Sequence, residues 1–143
     1  MWGRGIAMDT IEHVIDLDAD PFVPNGWKVE EHRKGGQNAS KVALYLSKGQ
    51  QGGKVIDGNK LRKELADKSA FNANVLDYLL ANPDLIPEEW KGKYVFFWGT
   101  VYRHSGGHLC VRCLCWDVGG WIWDGRWLGD HWYGRDPAAV PTD

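Results

Sequence analysis

Hydrophobic positions along the chain change their period twice. In "SKVALYLSKGQQGGKVIDG" (residues 40–58), Val42, Leu44 and Leu46 alternate with Ala43, Tyr45 and Ser47. That spacing predicts a strand with one buried face, and the glycine-rich turn after it returns through Val55 and Ile56 as a short partner. The period then lengthens. Leu61 and Leu65 in "NKLRKELADK" sit four apart, and Asn59 is the expected N-cap. Val75, Leu76, Leu79 and Leu80 in "NANVLDYLLANPDLIP" form a broader stripe, with Asn72 or Asn74 as cap. Asn82 is expected in the left-handed C-terminal position, and Pro83 stops the helix. "PEEWKGK" predicts a short helical turn that carries Trp90 under a sheet.

From Lys93 the period is two. "KYVFFWGTVYR" sets Tyr94, Phe96, Trp98, Thr100 and Tyr102 on one face, and Val95, Phe97, Gly99 and Val101 on the other. "HSGGH" turns, "LCVRCLCW" returns, "DVGG" turns again, and "WIWDGRWL" makes a third strand. The N-terminal third is less periodic. Short strands are expected at 14–17 and 26–32, separated by Pro21 and Pro24. The expected fold is a single α+β domain: an antiparallel sheet dominated by a Trp-rich C-terminal meander, with two helices packed on one face. Residues 9–134 form the globular unit. Residues 1–8 are expected as a disordered extension, with Met8 an alternative start. Residues 135–143, "RDPAAVPTD", are expected as a flexible tail.

The totals narrow the classes. A chain of 143 residues buries roughly 68% of its unfolded surface, enough for one core. A net charge of -2 gives no global basic field for nucleic acid. Three cysteines are an odd number for a disulfide framework and point to reduced thiols in the cytoplasm. No apolar run approaches the length of a membrane span, and the N-terminus lacks the apolar stretch of a signal peptide.

The unusual chemistry lies between residues 96 and 134. Cys110, Cys113 and Cys115 with His104 and His108 suggest zinc, but a strand sends Cys110 to the face opposite Cys113 and Cys115. Buried thiols are the expectation, and no metal. No cofactor is implied, since the chain holds no P-loop, GxGxxG or HExxH. A small metal-independent hydrolase, such as a nuclease, is one reading. It would use His104, His108 or His131 with Arg103, Arg112 or aspartates such as Asp117, Asp124 and Asp130. The leading reading is a binding or interaction module on the aromatic face of the sheet. Its anchors are Trp98, Trp121, Trp123 and Trp127, and its polar partners Arg103, Arg112 and Arg126. A protein, a glycan or a nucleic acid is the expected ligand, and a homodimer through the same face is the third reading.

The stretches "HVIDLDADPFVPNGWKVEEHRKGGQ", "KVALYLSKGQQGGKVIDGNKLRKELADK" and "NANVLDYLLANPDLIPEEWKGKYVFFWGTVYR" resemble a group of short bacterial proteins met largely in genomes of uncultivated candidate phyla. The resemblance covers roughly residues 9–128. The group carries no assigned activity, so no site residue is carried over. It implies a free-standing soluble cytoplasmic protein.

Overall fold

The computed structural model describes residues 15–34 and 41–142. The expected extension at 1–8 and part of the expected strand at 14–17 lie outside the described residues, and 15–17 form no strand. The described strands are β1 (Lys28–His32), β2 (Lys41–Tyr45), β3 (Ile56–Asp57), β4 (Val95–Phe96), β5 (Thr100–Arg103), β6 (Leu109–Asp117), β7 (Gly120–Trp127), β8 (His131–Trp132) and β9 (Ala138–Thr142). The helices are α1 (Gly58–Leu65) and α2 (Ala73–Ala81). The α+β class and the tryptophan-rich antiparallel strands are as expected.

β6 is the spine of a curled, mostly antiparallel sheet. β7 pairs along its whole length, from Cys110 opposite Trp127 to Asp117 opposite Gly120. On its other side β6 pairs first with β5 and then with β4. β1 extends the sheet from β5, while β9 and then β2 extend it from β4. One contact is parallel, between β4 and β9.

β4 and β5 are two halves of the single strand expected over 93–103. Tyr102 lies opposite Cys110 and Phe96 opposite Cys113, so six residues on this strand span only three on β6. The three extra residues form a tight turn, closed by the Thr100 N–H donating to the Phe97 carbonyl at 3.3 Å. An odd insertion flips the alternation. Phe96 and Trp98 therefore share one core cluster, and Tyr102 moves to the opposite face beside Cys110.

The break admits another segment. The Gly99 N–H donates to the Phe71 carbonyl at 2.9 Å, and the Phe71 N–H donates to the Ala139 carbonyl at 3.0 Å. The α1–α2 connection thus crosses the sheet here. Ala70 belongs to the cluster under α1, with Leu61, Leu65, Phe96, Val111 and Trp132. Phe71 belongs to the cluster under α2, with Val75, Leu76, Leu79, Val95 and Leu114. The two helices, expected together on one face, bury their stripes on opposite faces. Each buried Leu or Val contributes about 1.5–3 kcal/mol, so both faces are core.

Three smaller expectations are corrected. Asp57, not Asn59, caps α1, accepting the Asn59 N–H at 2.8 Å. Asn82 is not left-handed; at φ -134° its side chain instead donates to the Tyr78 carbonyl. The expected tail contains an interior strand. β9 lies between β4 and β2, with Asp136, Ala138 and Ala139 buried. Pro137 and Pro141 disguised it, yet Pro141 pairs with Val42 on β2 beyond the reach of β4, so it removes no ladder bond there.

The start of α2 is tied to β1 by a relay. The Ala73 N–H donates to Thr100 Oγ1 at 2.9 Å, and Thr100 Oγ1 lies 2.8 Å from His32 Nδ1. His32 Nε2 lies 3.0 Å from the Ala19 carbonyl, which only accepts, so Nε2 carries the hydrogen and Nδ1 accepts from the threonine. The fold holds this ring neutral, and burial lowers its pKa below the ordinary 6.5. Its contribution to stability is full above pH 6.5 and is lost as pH falls through the lower folded value. Urea midpoints measured on either side of pH 6.5 will fall less for His32→Gln than for the native chain. An equal fall would assign the acid sensitivity elsewhere.

A Cβ on Gly99 would lie 2.6 Å from both the Ala70 carbonyl oxygen and the Asn72 nitrogen. These are backbone atoms with no room to move. Gly99→Ala is expected to cost about 3 kcal/mol, measured by urea denaturation; a change near zero would show that the crossing is loose.

Candidate functional site

The β6–β7 hairpin turns through Val118 and Gly119, both at positive φ (34° and 85°). Two such residues match a type I′ turn, where Asn-Gly is preferred. Val118 is β-branched in a left-handed conformation and 96% exposed. Folding alone gives no reason for an apolar, strained residue at this tip.

The turn sets the hydrogen-bond phase of β7. Closure between Asp117 and Gly120 makes the even residues of β7 face β6, and the odd residues turn their N–H and C=O groups outward. Two contacts agree with this phase. The Gly125 N–H is taken by the Asp124 carboxylate at 2.8 Å, and the Trp127 carbonyl accepts the Asp130 N–H at 3.1 Å. One outward group of each residue is thereby taken, so the C-terminal half of the edge is partly closed. Among the described residues β7 pairs only with β6, so Trp121 and Trp123 keep both outward groups free. Ile122, between them, is 43% exposed.

An aromatic row runs beside this edge. Trp121, Trp123 and Trp127 share one face of β7, opposite Trp116, Leu114 and Cys110 on β6. Trp116 and Trp121 meet edge to face at 5.3 Å, and Lys91 Nζ sits 3.9 Å over Trp116. Trp27 lies against Trp123, Tyr102 and His104. It reaches the sheet because Gly125 has no side chain; a Cβ there would come within 3.1 Å of the indole. At the far end His108 stacks on Trp127 at 4.0 Å. Trp116 and Trp127 are exposed, and Phe22 at the row's margin is 54% exposed.

One expected anchor, Trp98, and one expected polar partner, Arg112, are buried. Trp98 is buried on the other face, against Trp132 at 4.9 Å. Arg112 is 1% exposed and makes a two-pronged pair with Asp77 of α2 at 2.8 and 3.0 Å. Its guanidinium lies 4.4 Å from the Trp123 ring. Burial works to lower its pKa, but the Asp77 carboxylate outweighs that and the net shift is upward. Arg126, also on the other face, pairs with buried Asp136 and lies over Phe96 and Trp132. Arg103 pairs with Glu30 at the surface. Trp121, Trp123 and Trp127 are therefore the expected residues that the fold does bring together.

Cys110, Cys113 and Cys115 are free and buried, with Cys110 on the opposite face from the other two. Burial pushes the Cys110 thiol up to about 11. Cys113 donates a hydrogen bond to Cys115, which together with burial raises Cys113, and the same bond lowers Cys115. Raised, buried thiols such as Cys110 and Cys113 are poor nucleophiles. Among the described residues no three His, Cys, Asp or Glu side chains cluster as a metal ion needs. The His104 ring accepts the Gly106 N–H, the His108 ring stacks on Trp127, and His131 lies exposed in β8. Set against protein-family models, curated proteins and solved structures, the chain matches none of them.

Sequence spacing alone missed Trp27, Trp116, Phe22 and Lys91. The glycine at 125 is the one local signal that another group approaches this face. Val118→Asn relieves the turn and is expected to raise stability by about 1 kcal/mol, read from urea midpoints. A loss would mean that the valine packs usefully within its own chain.

Proposed function

We propose that the protein is a non-enzymatic interaction module that takes an extended segment of another chain along the outer edge of β7. The observation behind this reading is the open half-edge at Trp121 and Trp123, flanked by exposed Val118, Ile122 and Trp116. Exposed strand edges normally carry lysine, proline or a cover, because an open ladder recruits other strands. Here the Asp124 carboxylate takes the Gly125 N–H, and no lysine or proline lies in β7 itself. Strand addition would draw affinity from the backbone ladder and selectivity from the aromatic row. Three free buried thiols support a reducing compartment, the bacterial cytoplasm implied by the resemblance. No helix among the described residues is long and apolar enough to cross a membrane.

A second reading has one observation in its favour. A groove of about 450 Å³ runs beside Trp127, lined by Asn59, His108, Leu128 and Asp130. A sugar or a base would stack there on the exposed indole. Trp127→Ala would abolish such binding, while a charge at Ile122 would not.

The edge reading is tested by a photo-crosslinking residue at Ile122, with exposed Lys63 on α1 as control. Discrete adducts in cells are expected from position 122 and not from 63. Equal or absent adducts would count against an edge-bound partner.

A further inference from the structure

We infer that the strand received by β7 is β7 of a second copy, antiparallel across a two-fold axis that passes through Ile122. This rests on the edge reading and specifies its occupant.

The register follows from which groups are free. With Ile122 opposite Ile122 of the second copy, Trp121 faces Trp123 of the second copy and Trp123 faces its Trp121. Each of these outward-turned pairs exchanges two backbone hydrogen bonds. All four bonds use groups that have no partner among the described residues. Other registers are worse. Centring on Trp123 sets Trp121 against Gly125, whose N–H already serves Asp124. Centring on Asp124 opposes that carboxylate to itself, an unfavourable pair in any sheet. Centring on Gly125 uses two occupied N–H groups and the Trp127 carbonyl that Asp130 holds. The Ile122 register instead places Asp124 opposite Gly120 and opposes no like charges. A net charge of -2 per chain adds little repulsion between copies.

The side chains fit the same axis. On one face Ile122, 43% exposed, meets its own copy. On the other face two Trp121–Trp123 pairs meet across the axis, continuing each molecule's aromatic row. The Val118–Gly119 turn of each copy reaches the Gly125–Trp127 segment of the other, which gives the exposed valine a surface to cover. The paired segment is short, Gly120 to Asp124 on each side. It falls below the roughly 1,200–2,000 Å² of a standard interface unless Trp116 and Val118 also contribute. The dimer is accordingly weak and depends on concentration.

The two-fold axis provides its own test. Facing Ile122 residues would sit at a non-hydrogen-bonded position with Cα atoms about 4.5 Å apart, within the range a disulfide spans. Ile122→Cys should form a covalent dimer on mild oxidation. Gly120→Cys, in the same strand with open space for its side chain but facing Asp124 of the second copy, should not. The native cysteines are at most 5% exposed and give a low background. Sedimentation of the native chain across a concentration series should show a dimer, and Ile122→Lys should abolish it. Hydrogen exchange at the Trp121 and Trp123 amides should slow as dimer forms. Equal cross-linking of both cysteine variants, or a dimer that survives Ile122→Lys, overturns the proposed axis. A monomer at every concentration with fast-exchanging Trp121 and Trp123 amides overturns the second copy but leaves an edge open to another partner. A monomer in which those amides are protected overturns both readings.

Discussion

The passage of Phe71 through the sheet organises everything around it. One residue donates to β9 through its N–H and accepts from Gly99 through its carbonyl. It thereby joins the two branches of the sheet that the broken β4–β5 strand separates. The crossing also explains why two short helices suffice. α1 covers one face and α2 the other, and the chain between them needs no detour around an edge. Its requirement is local and severe: no side chain at position 99. The interruption that weakens one strand is thus what closes the core on both sides.

A second constraint fixes the aromatic hairpin on that frame. Arg112 reaches from β6 to Asp77 on α2, under Trp123 and beside Phe22. The pair lies where water reaches only the Asp77 end, so the charges are held by geometry as much as by attraction. It gives Trp123 a rigid, charged floor. The outward side of the row can then stay exposed without the hairpin collapsing onto the helix. Rigid aromatic side chains on a supported strand are well suited to recognition, because little conformational freedom is lost on contact.

Much of the fold was legible in the sequence. The stripes of α1 and α2, the meander, the turns at 104–108 and 117–120, and the separation of Cys110 from Cys113 and Cys115 all follow from periodicity. What stayed hidden depends on register and on distant contacts. The alternation in "KYVFFWGTVYR" looks continuous, yet Phe97, Trp98 and Gly99 turn out of it because Phe71 requires the space. β9 looked like a tail because prolines mark loops unless one knows which edge they face. Arg112 looked like a surface cation, since its partner lies on α2, 35 residues away. For the candidate site, the shared face of Trp121, Trp123 and Trp127 was readable. Which edge groups remained free was not, because that depends on the phase set by the turn.

The crossing also bears on the order in which the molecule assembles. Phe71 must meet Gly99, 28 residues on, and Ala139, 68 residues on, before its two bonds close. Such distant closures come late, since loop entropy must be overcome first. The β6–β7 hairpin needs only neighbours and can form early. On that order, the hairpin's open edge would be present before the helices that frame it. At that stage the ladder that would receive a native partner is a template for indiscriminate strand pairing. Asp124, bound to the Gly125 amide, shortens that template from within the hairpin itself. The carboxylate that takes an edge amide in the finished structure would, by the same bond, limit strand pairing while the molecule folds.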